Sequence, residues 1–259
     1  TITSGEAGDD VRVQETLADN GGSRTVSSAA VSVAASAVWT PASLGSKLIV
    51  WLDFTDPAAM NTAADGSGSA PSDTDTVHRV NDKSTQGNDF NSANGFGTYD
   101  STNNCIVTTT TDDDLPVPAG TLTGTTTDMI VAAVMNSNGD NSFVLTGVRG
   151  PLIYLGQANL GALNTTISSP EYGSSLEYYD DGVLISPNTR NDLFNEWGNK
   201  WAYPEVHGVD INSNDPDVSP FYYPSISLNN GLVRHYLLLT NNLTAGELSD
   251  LRAWFAGET

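Results

Sequence analysis

Leu48-Ile49-Val50-Trp51-Leu52-Asp53, running into Phe54-Thr55-Asp56-Pro57, is the stretch on which the fold turns. It is a nearly continuous apolar run, as expected of a strand buried between two layers. Pro57 and the acidic residues around it then break the strand. A second run of the same kind is Asp128-Met129-Ile130-Val131-Ala132-Ala133-Val134-Met135. Working outward, shorter strands are predicted at 77–80, 104–109, 143–147, 151–157, 206–212 and 231–239. Leu176 to Tyr179 and Val183 to Ile185 flank Asp180-Asp181-Gly182, a hairpin turn. Residues 61–76 are rich in Gly, Ser, Asp and Thr and read as a surface loop. Many short strands separated by polar turns predict an all-β chain, a two-sheet antiparallel jelly-roll sandwich.

Two helices interrupt this pattern. One short helix is expected within 189–199. The other closes the chain: Thr244 is an N-cap, Glu247 stands three residues on, and Leu248, Leu251 and Trp254 share a face.

Composition supports the same reading. Only 16% of the 259 residues are charged, and Asn, Ser, Thr, Asp and Gly carry the polarity. These residues favour turns and strand surfaces over helices. Ten basic against 31 acidic residues leave a net charge of -21. That field repels phosphate backbones and anionic membranes, so neither nucleic acid nor membrane insertion is expected. It suits high salt or divalent cations. Cys105 is the one cysteine, so no intrachain disulfide forms, and its strand context predicts a buried inert thiol.

Residues 1–37 stand apart from 38–259. Val11 to Leu17 alternates like an edge strand, Asn20-Gly21-Gly22 makes a turn, and Thr25 to Ala35 reads as a second strand of small residues. This hairpin resembles the last two strands of an immunoglobulin-like module. It is expected either to pair with strands missing from this sequence, as in a piece of a longer polypeptide, or to lie along the main domain as a hairpin or linker.

In 38–259, four segments in order resemble the concanavalin A-like (laminin-G-like) jelly rolls of bacteriophage and bacterial surface proteins. Leu48 to Pro57 is similar to the family's opening L-x-x-W-L-D-A-S-D-P. Val80-Asn81-Asp82-Lys83-Ser84-Thr85-Gln86-Gly87-Asn88-Asp89 is similar to W-x-D-K-S-G-N-G-N-D. Glu177 to Ile185 is similar to a Y-V-D-G hairpin, and Leu243 to Leu251 to a closing L-T-x-x-E-x-x-x-L helix. Thr85 stands where Gly is usual, and Val80 near where Trp is common. The resemblance implies a fold that hosts lectins, glycanases, lyases and scaffolds alike.

The candidate chemistry follows from residue types. Glycan hydrolysis needs two carboxylates facing a scissile bond, and no Glu-x-Asp or Asp-x-Glu pair lies on a predicted strand. No lyase motif of the fold is present, and His78, His207 and His235 are the only histidines. The resemblance implies a structural Ca²⁺, for which Asp and Asn in loops are suitable ligands. Candidates are Asp53 and Asp56, Asp82 with Asn88 and Asp89, and Asp215 with Asp217; turn and cap roles are the competing reading. Carbohydrate is the sharper expectation, because sugar rings stack on aromatics while amides and carboxylates take the hydroxyls. The aromatic segment 194–224 supplies Trp197, Trp201, Tyr203, Tyr222 and Tyr223, with His207 beside them. The competing reading packs these rings into the sandwich or between subunits.

The function these features predict is a non-catalytic module on a phage virion surface, in a tail, fibre or spike. It would attach to a host glycan or decorate the particle, with other virion proteins and copies of itself as partners. A structural virion protein, a bacterial adhesin and a glycan-degrading enzyme are the alternatives.

Overall fold

The computed structural model describes residues 10–11, 14–19, 22–27, 31–32, 38–108, 125–137, 141–147, 150–156, 176–212 and 231–259. The chain divides into two units, Thr1–Trp39 and Thr40–Thr259. The first holds β1 (Asp10–Val11), β2 (Gln14–Asp19), β3 (Gly22–Ser27) and β4 (Val31–Ser32). Strands β2 and β3 form a hairpin in register from Gln14 opposite Ser27 to Asp19 opposite Gly22, and β1 pairs with β4, both antiparallel.

The second unit begins with β5 (Leu48–Asp53), β6 (Met60–Asn61), β7 (Arg79–Val80), β8 (Phe90–Asn91), β9 (Thr98–Asp100) and β10 (Cys105–Thr108). Then come β11 (Thr125–Ser137), the hairpin strands β12 (Asn141–Gly147) and β13 (Gly150–Gly156), and a second hairpin of β14 (Glu177–Asp180) and β15 (Val183–Ile185). Helix α1 (Arg190–Trp197), β16 (Pro204–Asn212), β17 (Gly231–Thr240) and helix α2 (Ala245–Glu258) complete it. The main sheet has eight strands in the order β15-β14-β16-β11-β17-β10-β9, with β5 also on β17. Strand β17 is central: β11 runs along one edge, while β5 and β10 share the other. Strands β6, β7 and β8 form a small separate sheet. All these ladders are antiparallel, and with the short helices they give a mostly β architecture compatible with a sandwich.

Strand alternation sorts the side chains of the main sheet onto two faces. Val50, Leu52 and Phe54, Met129, Val131 and Ala133, and Tyr236 and Leu238 enter one core cluster. Met60, Val80 and Phe90 of the small sheet join the same cluster, as do Leu193, Phe194 and Trp197 of α1. Each such burial contributes about 1.5–3 kcal/mol. The opposite face carries Trp51, Asp53, His235, Glu205 and His207, and α2 covers it. Trp254 meets Trp51 edge-on at 5.8 Å between ring centres, and Phe255 stacks on Tyr203 at 5.4 Å. Lys47 pairs with Glu247 at the start of α2, and Arg252 with Glu205 at its middle.

A bulge in β16 adjusts this second face. Val206 faces Val131 and Val209 faces Met129, so two residues of β16 oppose one of β11. Gly208, at φ +77°, takes the left-handed conformation the bulge needs. Both Val206 and Val209 thereby reach the core.

The capping boxes follow the sequence. Thr244 accepts from the Glu247 amide, and Glu247 accepts back from the Thr244 amide. Thr189 and Asp192 make the same exchange at the start of α1. The buried face of α2 differs from the expected one: Leu251 and Phe255 are buried, whereas Leu248 and Trp254 are half-buried. Phe255 takes the inner position because Tyr203 lies beneath it.

Candidate functional site

The segment Asn81 to Asp89 resembles a ligand loop in sequence, but its polar groups are committed to the fold. Asp82 accepts from the Trp51 amide at 2.9 Å, from the Ser84 amide and hydroxyl, and from the Asn88 amide. Asn88 donates its side-chain amide to the Ile49 carbonyl at 3.1 Å. Asp89 accepts from the Asp82 amide and pairs with Arg79 at 2.6 Å. Lys83 reaches Asp53 at 2.7 Å and Asp56 at 3.0 Å. Of the expected Ca²⁺ ligands, Asp53, Asp56, Asp82 and Asp89 thus hold protein donors, and Asn88 gives its side-chain amide to a main-chain carbonyl. Asp215 and Asp217 lie outside the described residues. The Lys83 ammonium occupies the position between Asp53 and Asp56 that a cation would take. Among the described residues no group of three His, Cys, Asp or Glu side chains is arranged to hold a metal ion. The loop is a clamp that ties β7 and β8 to β5.

The expected aromatic platform is also taken apart. Trp197 is fully buried and lies 6.4 Å from Tyr178 within the core. Tyr203 is buried under Phe255, and burial together with Asp181 and Glu205 pushes its hydroxyl up to about 12. His207 is buried, with Nε2 2.9 Å from Glu205 and its ring 4.6 Å from Tyr179. A buried ring offers no face to a sugar, so Trp197, Tyr203 and His207 do not form the open stacking surface that the sequence suggested. Trp201 is half-buried, and the Arg234 guanidinium covers one face of its ring at 3.9 Å. Tyr222 and Tyr223 lie outside the described residues.

Tyr203 and His207 do come together, on the α2 face of β16. Between them Glu205 is fully buried and takes Arg252 through Nε to Oε1 at 2.9 Å and Nη2 to Oε2 at 2.8 Å. Burial raises the Glu205 pKa, but the bonds from His207 and Arg252 outweigh it and hold the carboxyl below its ordinary value. The guanidinium also lies 4.9 Å over the Tyr179 ring, whose hydroxyl donates to Glu177. This network docks α2, and both oxygens of its carboxylate are engaged by protein donors.

An open polar cavity lies elsewhere, beyond the end of β15. Its volume is about 320 Å³, and Ile185, Ser186, Pro187, Asn188, Asp192, Asn195 and Glu196 line it. Two local features build it. The hairpin turn carries positive φ at Asp181 and Gly182, which brings β15 back along β14. The Thr189–Asp192 capping box then starts α1. Helical period buries Leu193, Phe194 and Trp197 and turns Asp192, Asn195 and Glu196 toward the cavity. The Asn188 and Thr189 amides hold the Asp192 carboxyl below its ordinary range. On nearby β14, burial raises Asp180 despite its 3.5 Å contact with Lys200, and Asp181 and Glu196 add to the rise. Beside the cavity, at the end of the sheet order, Val183 and Leu184 are 66% and 57% exposed.

Trp197, expected from sequence to stack on a sugar, lies on the core side of α1, whereas Asp192, Asn195 and Glu196 lie on the side that lines the cavity. Trp197 stands out in the sequence as an aromatic, whereas Asn188, Asp192, Asn195 and Glu196 are ordinary polar residues there. The Thr-x-x-Asp box at Thr189 was the available signal, because it sets the helix start and hence the phase of the outward face. Comparison with known protein families, with curated proteins and with solved structures finds no match to this chain.

Proposed function

We propose that the chain is a non-catalytic, jelly-roll-type module of a phage virion surface that attaches to a host glycan through the cavity between β15 and α1. The observation that carries this reading is the cavity itself. Its volume of about 320 Å³ lies at the small end of ligand sites, and hydroxyl, amide and carboxylate groups converge on it. Those are the groups that bind sugar hydroxyls, while Ile185 and Pro187 supply apolar contact. Asp192 and Glu196 stand four residues apart on one helix face. They therefore approach a ligand from one wall, and not from opposite sides as glycoside hydrolysis requires. A shallow site of this size suits weak single contacts made strong by many displayed copies.

The test is glycan-array and host-cell binding with the protein displayed multivalently. Asn195→Ala and Glu196→Gln, both at exposed positions, are expected to abolish binding while thermal stability stays within about 0.5 kcal/mol of wild type. Binding that survives both substitutions refutes the site. A second reading, a structural virion protein without a glycan, draws on the exposed Val183 and Leu184 at the last strand of the sheet, which suit a contact with a neighbouring subunit. Folded protein that binds no glycan in any display would move the assignment to that role.

A further inference from the structure

We propose that the cavity between β15 and α1 selects its glycan by charge, taking a sugar that carries a protonated amine and rejecting uronates and other acidic sugars. This selection rests on the cavity being a glycan site, and it names the class of sugar. The make-up of the lining carries it. Ser186, Asn188 and Asn195 bring a hydroxyl and two amides, which serve the hydroxyls of any sugar. Asp192 and Glu196 bring two carboxylates, and none of the lining residues is basic. Carboxylate recognition is the task of Arg and Lys. This lining instead sets like charges beside an acidic sugar and opposite charges beside an ammonium.

The fold uses the two carboxylates to different extents. Asp192 accepts from the Asn188 and Thr189 amides, both at 2.9 Å from Oδ2, and these bonds hold it below its ordinary range. It is fixed in place and stays charged. Glu196 is exposed and makes no hydrogen bond or ion pair among the described residues. Lys200, four positions on, is engaged with Asp180 at 3.5 Å instead. Helical period puts Asp192 and Glu196 on one face, where like charges four residues apart repel. Their field reaches β14: burial leads the rise of the Asp180 pKa, and Asp181 and Glu196 add to it. An ammonium entering the cavity relieves that repulsion, whereas a neutral hydroxyl does not. Its three N–H donors also match the acceptors of Glu196 and of the Asn188 and Asn195 amides. Ile185 and Pro187 remain for the apolar face of the ring.

The test is binding of the full chain, displayed multivalently, to three immobilised probes of equal length. These are oligomers of β-1,4-linked glucosamine, their fully N-acetylated counterparts, and oligogalacturonate. A pH of about 6 keeps a sugar amine protonated. At about 0.05 M salt the glucosamine oligomer is expected to bind about fivefold or more tighter than the acetylated one, the upper end for a solvent-exposed ion pair. The preference should vanish at about 1 M salt, where charges are screened within about 3 Å, and the uronate should not bind. Glu196→Gln keeps the size and hydrogen bonding of the side chain and is expected to lose the binding. Glu196→Asp keeps the charge and is expected to recover part of it. Asp250→Asn removes one exposed charge from α2 and is expected to bind as wild type does. An acetylated oligomer bound as tightly as the amine, or a bound uronate, overturns the charge selection. The cavity then stays a glycan site so long as Asn195→Ala removes the binding. Equal losses in Asp250→Asn and Glu196→Gln also overturn the selection, because net charge and not the cavity then draws the amine. Folded protein that binds none of the probes, nor any other glycan, overturns both the selection and the glycan site.

Discussion

Arg252→Ala removes one partner from a carboxylate that has no access to water. Glu205 is fully buried and holds Arg252 at 2.9 and 2.8 Å, with His207 at 2.9 Å as its other partner. Breaking a buried ion pair from one side costs about 3–5 kcal/mol. Two features place this case at the lower end. His207 remains on Glu205, and the Arg252 side chain is 24% exposed, so part of its charge is already screened. Loss of the guanidinium over Tyr179 adds about 0.5 kcal/mol. The expected total is about 3 kcal/mol, a fall in Tm of roughly 6–12 °C for a domain of this size. Urea unfolding followed by tryptophan fluorescence measures it. A double-mutant cycle with Glu205→Gln should give a double variant less destabilised than the sum of the singles, by about 1 kcal/mol or more. An Arg252→Ala variant within about 0.5 kcal/mol of wild type, or an additive cycle, refutes the claim that this pair docks α2.

Other outcomes follow from the same packing. Trp197→Ala should cost about 3–5 kcal/mol through the void it leaves, so any lost glycan binding should accompany lost structure in far-UV circular dichroism. Gly182→Ala is expected to destabilise by more than about 1 kcal/mol, because φ is +77° and the new Cβ would stand 2.8 Å from Arg252 Cδ; a denaturation midpoint equal to wild type would contradict this. Cys105 is buried, and burial first and the Asp100 charge second push its thiol up to about 12. The native protein should therefore resist iodoacetamide at pH 8 and react only in denaturant, as intact mass will report. Asp53, Glu205 and Glu258 are all held below their ordinary values. Their contribution to stability is present above the ordinary carboxylate range near pH 4 and is lost as pH falls through the depressed values. Urea midpoints should drop on acidification below about pH 4, and Glu205→Gln should make that drop shallower.

The sequence by itself determined the longer elements of the second unit, but not the short strands β6, β8 and β9. Buried strands announce themselves by apolar runs, as at Leu48 to Asp53 and Met129 to Met135. Turns do so by residues that tolerate positive φ, as at Asp181-Gly182, and helices by reciprocal caps, as at Thr244 and Glu247. All are interactions within a few residues, so a local pattern encodes them. Tertiary structure alone decided which groups meet. Lys83 lies 30 positions from Asp53 and 27 from Asp56, and its arrival between them turned two expected metal ligands into an ion-pair clamp. Arg252 reaches Glu205 across 47 positions, and Glu258 reaches His235 across 23. The phase of α1, fixed by packing Leu193 and Trp197 into the core, decided that the aromatic side faces inward and that the amides and carboxylates line the cavity. Residue type states what a side chain can do. Its burial, and therefore whether its partners are water, a ligand or the rest of the protein, is set by chain packing at long range.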